Sequence, residues 1–197
     1  MLWRHKIRSR EMKKLMERIL ANSVIAAVRS RESFDEAVKS GSELIFDLAP
    51  DISDIAEKAS KCHAAGKRLF IHLDLASGIG KDKSGIEYVR NMGADGIIST
   101  RANIIKLARE VGLHTVQRFF AVDSQSVATA AEARKNSKAD MIEIMPGVIP
   151  KVISDLCKLV SVPIIAGGLI ESAEEIESVI AAGAAAVSTG KKSLWKR

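Results

Sequence analysis

Short apolar runs recur along this chain about one strand plus one helix apart, and that rhythm constrains the fold more than any other feature. They fall at Val24–Val28, Leu44–Leu48, Arg68–Leu73, Gly96–Ser99, His114–Phe119, Met141–Ile144, Pro163–Ala166 and Ala185–Ser188. Rich in Ile and Val, they suit strands covered on both faces, as in a parallel sheet. Helix-length segments with clear punctuation separate them. Ser33–Glu36 and Ser172–Glu175 read as capping boxes, and Pro150 suits a first helical turn. Gly66, Gly93, Gly112 and Gly183 each follow a helical pattern and suit a left-handed stop.

Eight strands with seven intervening helices predict an α/β fold, a small single-domain TIM (β/α)8 barrel over residues 1–197. An open doubly wound sheet is the alternative. Residues 10–20 predict an extra N-terminal helix, with Met12, Leu15, Met16 and Ile19 on one face to plug the barrel's N-terminal mouth. The last helix is truncated to a stub around Ser193–Trp195, and residues 1–10 form a basic N-terminal extension that need not be ordered.

The last two strands end in Gly167-Gly168 and Ser188-Thr189-Gly190. Two neighbouring parallel strands ending this way would gather backbone N–H groups and hydroxyls at one rim, a phosphate cradle; tight turns needing glycine are the plainer alternative. Other strand ends carry Asp47, Asp74, Thr100, Gln117, Arg118 and Glu143. A carboxylate inside an apolar strand is costly without partners. Acids and an amide near a phosphate site suit a short phosphorylated polyol. Equally, Glu143 and Arg118 can simply neutralise each other. Lys81, in the glycine-containing loop after Asp74, could add positive charge over a ligand or belong to a solvated loop. His72 and His114 lie within strands, where a histidine is more often a core residue than a ligand. No His, Cys and carboxylate spacing suggests a metal, and no cofactor motif stands out.

The charge is unevenly spread. Residues 1–18 carry a net +5 and residues 191–197 a net +4, against +6 for the chain, which leaves −3 for residues 19–190. Basic ends holding Arg4, Lys6, Arg8, Arg10, Lys191, Lys192, Lys196 and Arg197 could grip RNA phosphates, or could be solvated, frayed termini. No apolar run reaches membrane-span length, and Cys62 and Cys157 suit unpaired thiols of a cytoplasmic protein.

A series of segments resembles the glycerol-3-phosphate-responsive antiterminators. In order they are Ile25–Val28, Phe70–Asp74 with Gly78–Asp82, Asp95–Thr100, Gln117–Ser124, Ile142–Gly147 with Pro150-Lys151, Ile164–Leu169, and Ala186–Thr189 with Leu194-Trp195. The likeness runs from about Met12 to Trp195; Asp47, where an apolar residue is usual, and Gly190, where a polar one is common, depart from it. The resemblance implies a barrel that binds glycerol 3-phosphate and leader mRNA, activating glycerol-utilisation genes by antitermination, without being an enzyme. It implies phosphate on Gly167, Gly168, Ser188 and Thr189. Strand-end placement adds Asp74, Gln117 and Glu143 as hydroxyl contacts, with Lys81, Arg118 and Thr100 at the mouth. The competing reading is a TIM-barrel enzyme acting on a small phosphorylated sugar or triose.

Overall fold

The structure is a computed structural model that describes residues 13–195. After helix α1 (residues 13–21), strands and helices alternate: β1 (Val24–Val28), α2 (Arg31–Lys39), β2 (Leu44–Asp47), α3 (Ile55–Ala64), β3 (Arg68–His72), α4 (Lys83–Asn91), β4 (Gly96–Ser99) and α5 (Ala102–Glu110). They continue with β5 (His114–Phe120), α6 (Ser126–Ser137), β6 (Met141–Met145), α7 (Pro150–Leu159), β7 (Ile164–Gly167), α8 (Ala173–Ala181) and β8 (Ala186–Thr189). The eight strands are parallel and close in sequence order, β8 pairing back onto β1 through Ile25 and Ser188. The closed barrel is the expected one, and the open sheet is excluded.

Strand alternation divides the apolar side chains into two cores. Ile25, Phe46, Phe70, Ile98, Val116, Met141 and Ile165 fill the barrel, and Leu15 and Ile19 of α1 join them from below. The plugging helix therefore forms as expected over its described part; Met12 lies outside the described residues. Intervening strand residues such as Ile71, Ile97, Ile142 and Val187 pack outward against the helices.

Local punctuation explains where elements begin. Ser172 and Glu175 make the anticipated reciprocal cap on α8, and Pro150 opens α7. The first capping box is shifted: Ser30, not Ser33, caps α2, and Ser33 supplies the return hydroxyl. Glu36 is thereby released to pair with Lys192 at 2.8 Å. β7 starts at Ile164 because Pro163 has no N–H to give the ladder.

The truncated eighth unit is a single 3-10 turn, Lys192–Leu194, ending on Trp195. The indole is buried and donates to the Thr189 carbonyl at 2.8 Å, while the Trp195 carbonyl accepts from Gly41 N–H at 3.0 Å. Trp195 thus ties the end of β8 to the connection between α2 and β2, beside the pairing of β8 with β1 that closes the barrel.

Asp47 is not at the mouth. It points outward from β2 and is buried against α3, where its Oδ2 meets Lys58 Nζ at 2.8 Å. Lys58 also reaches Asp54 at 2.9 Å. The acid that departs from the apolar expectation is neutralised inside the helix layer.

Candidate functional site

The carboxyl ends of β1, β5, β6, β7 and β8 surround a cavity of about 470 Å³, within the range of small-ligand sites. Its floor is polar. Arg118 and Glu143, register partners on β5 and β6, face inward and are buried. Arg118 Nε donates to Glu143 Oε2 at 2.6 Å, and Ser188 Oγ donates to Oε1 at 2.5 Å. Both carboxylate oxygens are thus engaged, which removes the penalty of burying the charge alone. This is the neutralising pair that the sequence left open.

Above that floor, Gly168, Ser188 and Thr189 line the cavity, whereas Gly167 sits just behind. A side chain at Gly167 would meet Glu143 Oε1 at 2.5 Å and Ser188 Oγ at 2.8 Å, so the network excludes one. Gly168 has φ +76°, a left-handed conformation that glycine adopts without strain. The Thr189 hydroxyl donates to the Ile170 carbonyl at 2.7 Å and accepts from Lys191 N–H at 3.0 Å. It locks the two rim loops together. Exposed Arg29 and Lys191 lie at the rim, with Glu171 as the exposed acid. Lys191, expected on a terminal RNA-binding tail, therefore belongs to the mouth, and Arg29 is a mouth cation that sequence reasoning missed.

Asp74, Thr100 and Lys81 form a separate cluster at the ends of β3 and β4. Asp74 accepts from Ser99 Oγ at 2.7 Å, Thr100 N–H at 2.7 Å and Thr100 Oγ1 at 2.9 Å. Burial works against this carboxylate, but those donors prevail and hold it below the usual carboxylate range. Lys81 Nζ donates to the Ala76 carbonyl at 2.5 Å, and Asp82 caps α4. The glycine-containing loop is further tied down by Ser77 N–H to Pro50 O and Ile52 N–H to Ser77 O. None of the three lines the cavity.

Gln117 requires a correction. Val116 and Arg118 face into the barrel, so Gln117 between them faces α6. Its Oε1 accepts from Ser137 Oγ at 2.5 Å, and the amide is buried in the helix layer.

His72 is a core residue, as a histidine within a strand is expected to be, but its ring nitrogens are not satisfied there. His114 stacks on Phe70, whereas His72 is 4 % exposed with no hydrogen-bond partner on either ring nitrogen. Burial, then the Arg118 guanidinium, pushes its imidazole down to about 4. It is a neutral ring in the barrel's upper interior.

Of the terminal cations, Lys192 is engaged by Glu32 at 3.1 Å and Glu36 at 2.8 Å. Arg4, Lys6, Arg8, Arg10, Lys196 and Arg197 lie outside the described residues. Among the described residues, no group of three His, Cys, Asp or Glu could hold a metal, and no helix is long and apolar enough to cross a membrane.

Residues 24–195 match the model of the glycerol-3-phosphate responsive antiterminator family. Uncharacterized protein YgcP of Escherichia coli strain K12 is 37 % identical over 182 residues, 92 % of this chain and 95 % of that protein. The glycerol uptake operon antiterminator regulatory protein of Listeria monocytogenes superposes with a TM-score of 0.83 at 31 % identity, covering 88 % of this chain and 95 % of that one. A glycerol uptake operon antiterminator-related protein of Thermotoga maritima gives 0.79 at 31 % identity, covering 89 % and 98 %. The chain belongs to the glycerol-3-phosphate responsive antiterminator family.

Proposed function

We propose that this protein is a cytoplasmic transcription antiterminator that binds glycerol 3-phosphate in the barrel mouth and, in response, engages leader mRNA of glycerol-utilisation genes. The observation that carries the ligand half is the rim between β7 and β8. There the left-handed Gly168 and the side-chain-free backbone at Gly190 adjoin Lys191 and Arg29 around a cavity of about 470 Å³. Bare backbone and two cations suit a phosphate dianion. The RNA half rests on the family description.

A calorimetric titration tests the ligand. Glycerol 3-phosphate binds, glycerol and inorganic phosphate bind far more weakly, and Gly168→Asp abolishes binding by adding bulk and negative charge. Equal binding of glycerol and its phosphate defeats the proposal. Filter binding of leader RNA with and without glycerol 3-phosphate tests the regulatory step; equal weak retention of any RNA in both cases defeats it.

The site also speaks against proton-transfer chemistry. Of the two carboxylates lining the cavity, Glu143 is committed on both oxygens and Glu171 is exposed. An enzyme for a small phosphosugar needs a positioned group free to exchange a proton. A phosphosugar turnover screen that found activity abolished by Glu143→Gln would restore that reading.

A further inference from the structure

The amino-terminal end of the barrel, opposite the cavity, carries two basic grooves. The first, of about 230 Å³, is lined by Lys14, Arg18, Arg68 and Arg90, with Asp95 as its acid. The second, of about 520 Å³, is lined by Arg109, Arg134, Lys135 and Lys138, with Asp140 as its acid. They flank a single connection, since Gly112 and Leu113 line the first while Arg109, in the last turn of α5, lines the second. Eight cations and two acids thus line the grooves across one continuous end of the molecule, with Glu43 and Glu132 pairing Arg18 and Lys135 beside them.

Several of these cations are held in place. Arg68 pairs with Asp95 at 2.8 Å, Arg18 with Glu43, and Arg109 with Asp140. Asp140 is itself fixed by Thr115 N–H at 3.0 Å. Lys14, Arg90 and Lys138 are exposed. Compensation of helix dipoles accounts for Arg90, Arg109, Arg134 and Lys135, which end helices. It does not account for Lys14, or for Arg68 at the start of β3.

The opposite rim is a poorer polyanion surface. Leu75, Phe120, Val122 and Leu169 are exposed there. Of its cations, Arg31 and Lys192 are paired with Glu57 and with Glu32 and Glu36, and Arg29 and Lys191 face the small-ligand cavity. Helix α1 belongs to the basic end instead, contributing Lys14 and Arg18 to the first groove.

We propose that this amino-terminal face is the RNA-docking surface, with successive phosphates seated in the two grooves on either side of the α5–β5 turn. The inference rests on the RNA half of the proposed function and names the surface that serves it. Ligand and nucleic acid then occupy opposite ends of one barrel. Binding is read through the phosphate backbone, so it weakens steeply with salt.

The experiment uses the full chain and leader RNA of glycerol-utilisation genes from the same genome, transcribed in vitro. Filter binding with glycerol 3-phosphate present is measured from about 50 to 300 mM salt, a range over which phosphate contacts set the slope. Substituting Lys14→Gln, Arg90→Gln and Lys138→Gln together is expected to weaken binding more than tenfold and to flatten the log–log salt slope by about two, since each lost phosphate contact contributes roughly 0.7–0.9. Calorimetric affinity for glycerol 3-phosphate stays at the wild-type value, which also reports an intact barrel. If the triple variant misfolds, Lys14→Gln with Lys138→Gln carries the same test with a smaller change. Wild-type affinity and slope in a folded variant overturn the surface. Failure of the wild-type protein to retain RNA at any salt overturns the RNA half of the function along with it.

Discussion

Replacing His72 with Gln should remove one acid-sensitive component of folding stability. The unfolded imidazole titrates near 6.5, whereas burial, with Arg118 adding to it, brings the folded one down to about 4. Between those values the unfolded chain binds a proton that the native state refuses, so stability falls as pH falls through that window. A separation of roughly 2.5 units corresponds to about 3 kcal/mol in full, of which about 2 kcal/mol is lost between pH 7.5 and 5. Other groups titrate over the same range, so the difference between wild type and His72→Gln is the informative quantity. Urea unfolding followed by circular dichroism at several pH values from 7.5 to 5 measures it. The wild type should lose about 2 kcal/mol more than the variant over that interval. Parallel loss in both proteins would refute a neutral, desolvated His72.

Other substitutions separate mouth from scaffold. Gly168→Ala should cost about 1–2 kcal/mol in thermal or urea unfolding, because an L-residue is strained at this φ and its Cβ would come within 2.7 Å of Met145 Cε. Gln117→Leu should leave glycerol 3-phosphate affinity unchanged by calorimetry while costing about 1 kcal/mol through loss of the buried Ser137–Gln117 hydrogen bond, since the Ser137 hydroxyl keeps the Arg134 carbonyl as an acceptor; a large affinity loss would return Gln117 to the mouth. Lys58→Met should cost about 3–5 kcal/mol by stranding buried Asp47, and adding Asp47→Leu should recover most of it in the same unfolding assay. Ser188→Ala should lower stability by about 1–3 kcal/mol, since Glu143 Oε1 loses its hydroxyl donor.

The barrel was legible because strands covered on both faces leave long-range rhythm as their main signature, and the helices carry their own stops. That same coverage hid the facing of individual residues. In β5, Val116, Arg118 and the outward Gln117 are all buried, so hydrophobic alternation could not tell the amide from the guanidinium. Only the closed register, with Arg118 opposite Glu143, decides it. Asp47 looked anomalous because its partner Lys58 lies on the following helix. Arg29 went unnoticed because it follows an unremarkable strand; the strand-end rule applied to β1 would have found it. The basic grooves were invisible because they gather cations from α1, β3, α4, α5 and α6, whereas the eye is drawn to charge runs at the ends of the chain.

The tie that Trp195 makes beside the barrel's closure has a mechanical consequence. Its indole hangs from the carbonyl of Thr189, and the Thr189 hydroxyl staples the β7 loop to the β8 loop. A full helix after β8 would spread force on this segment along several turns. Here one 3-10 turn and one indole carry it into the mouth. A pull on Trp195 is therefore felt at the same strand end that shapes the ligand cavity.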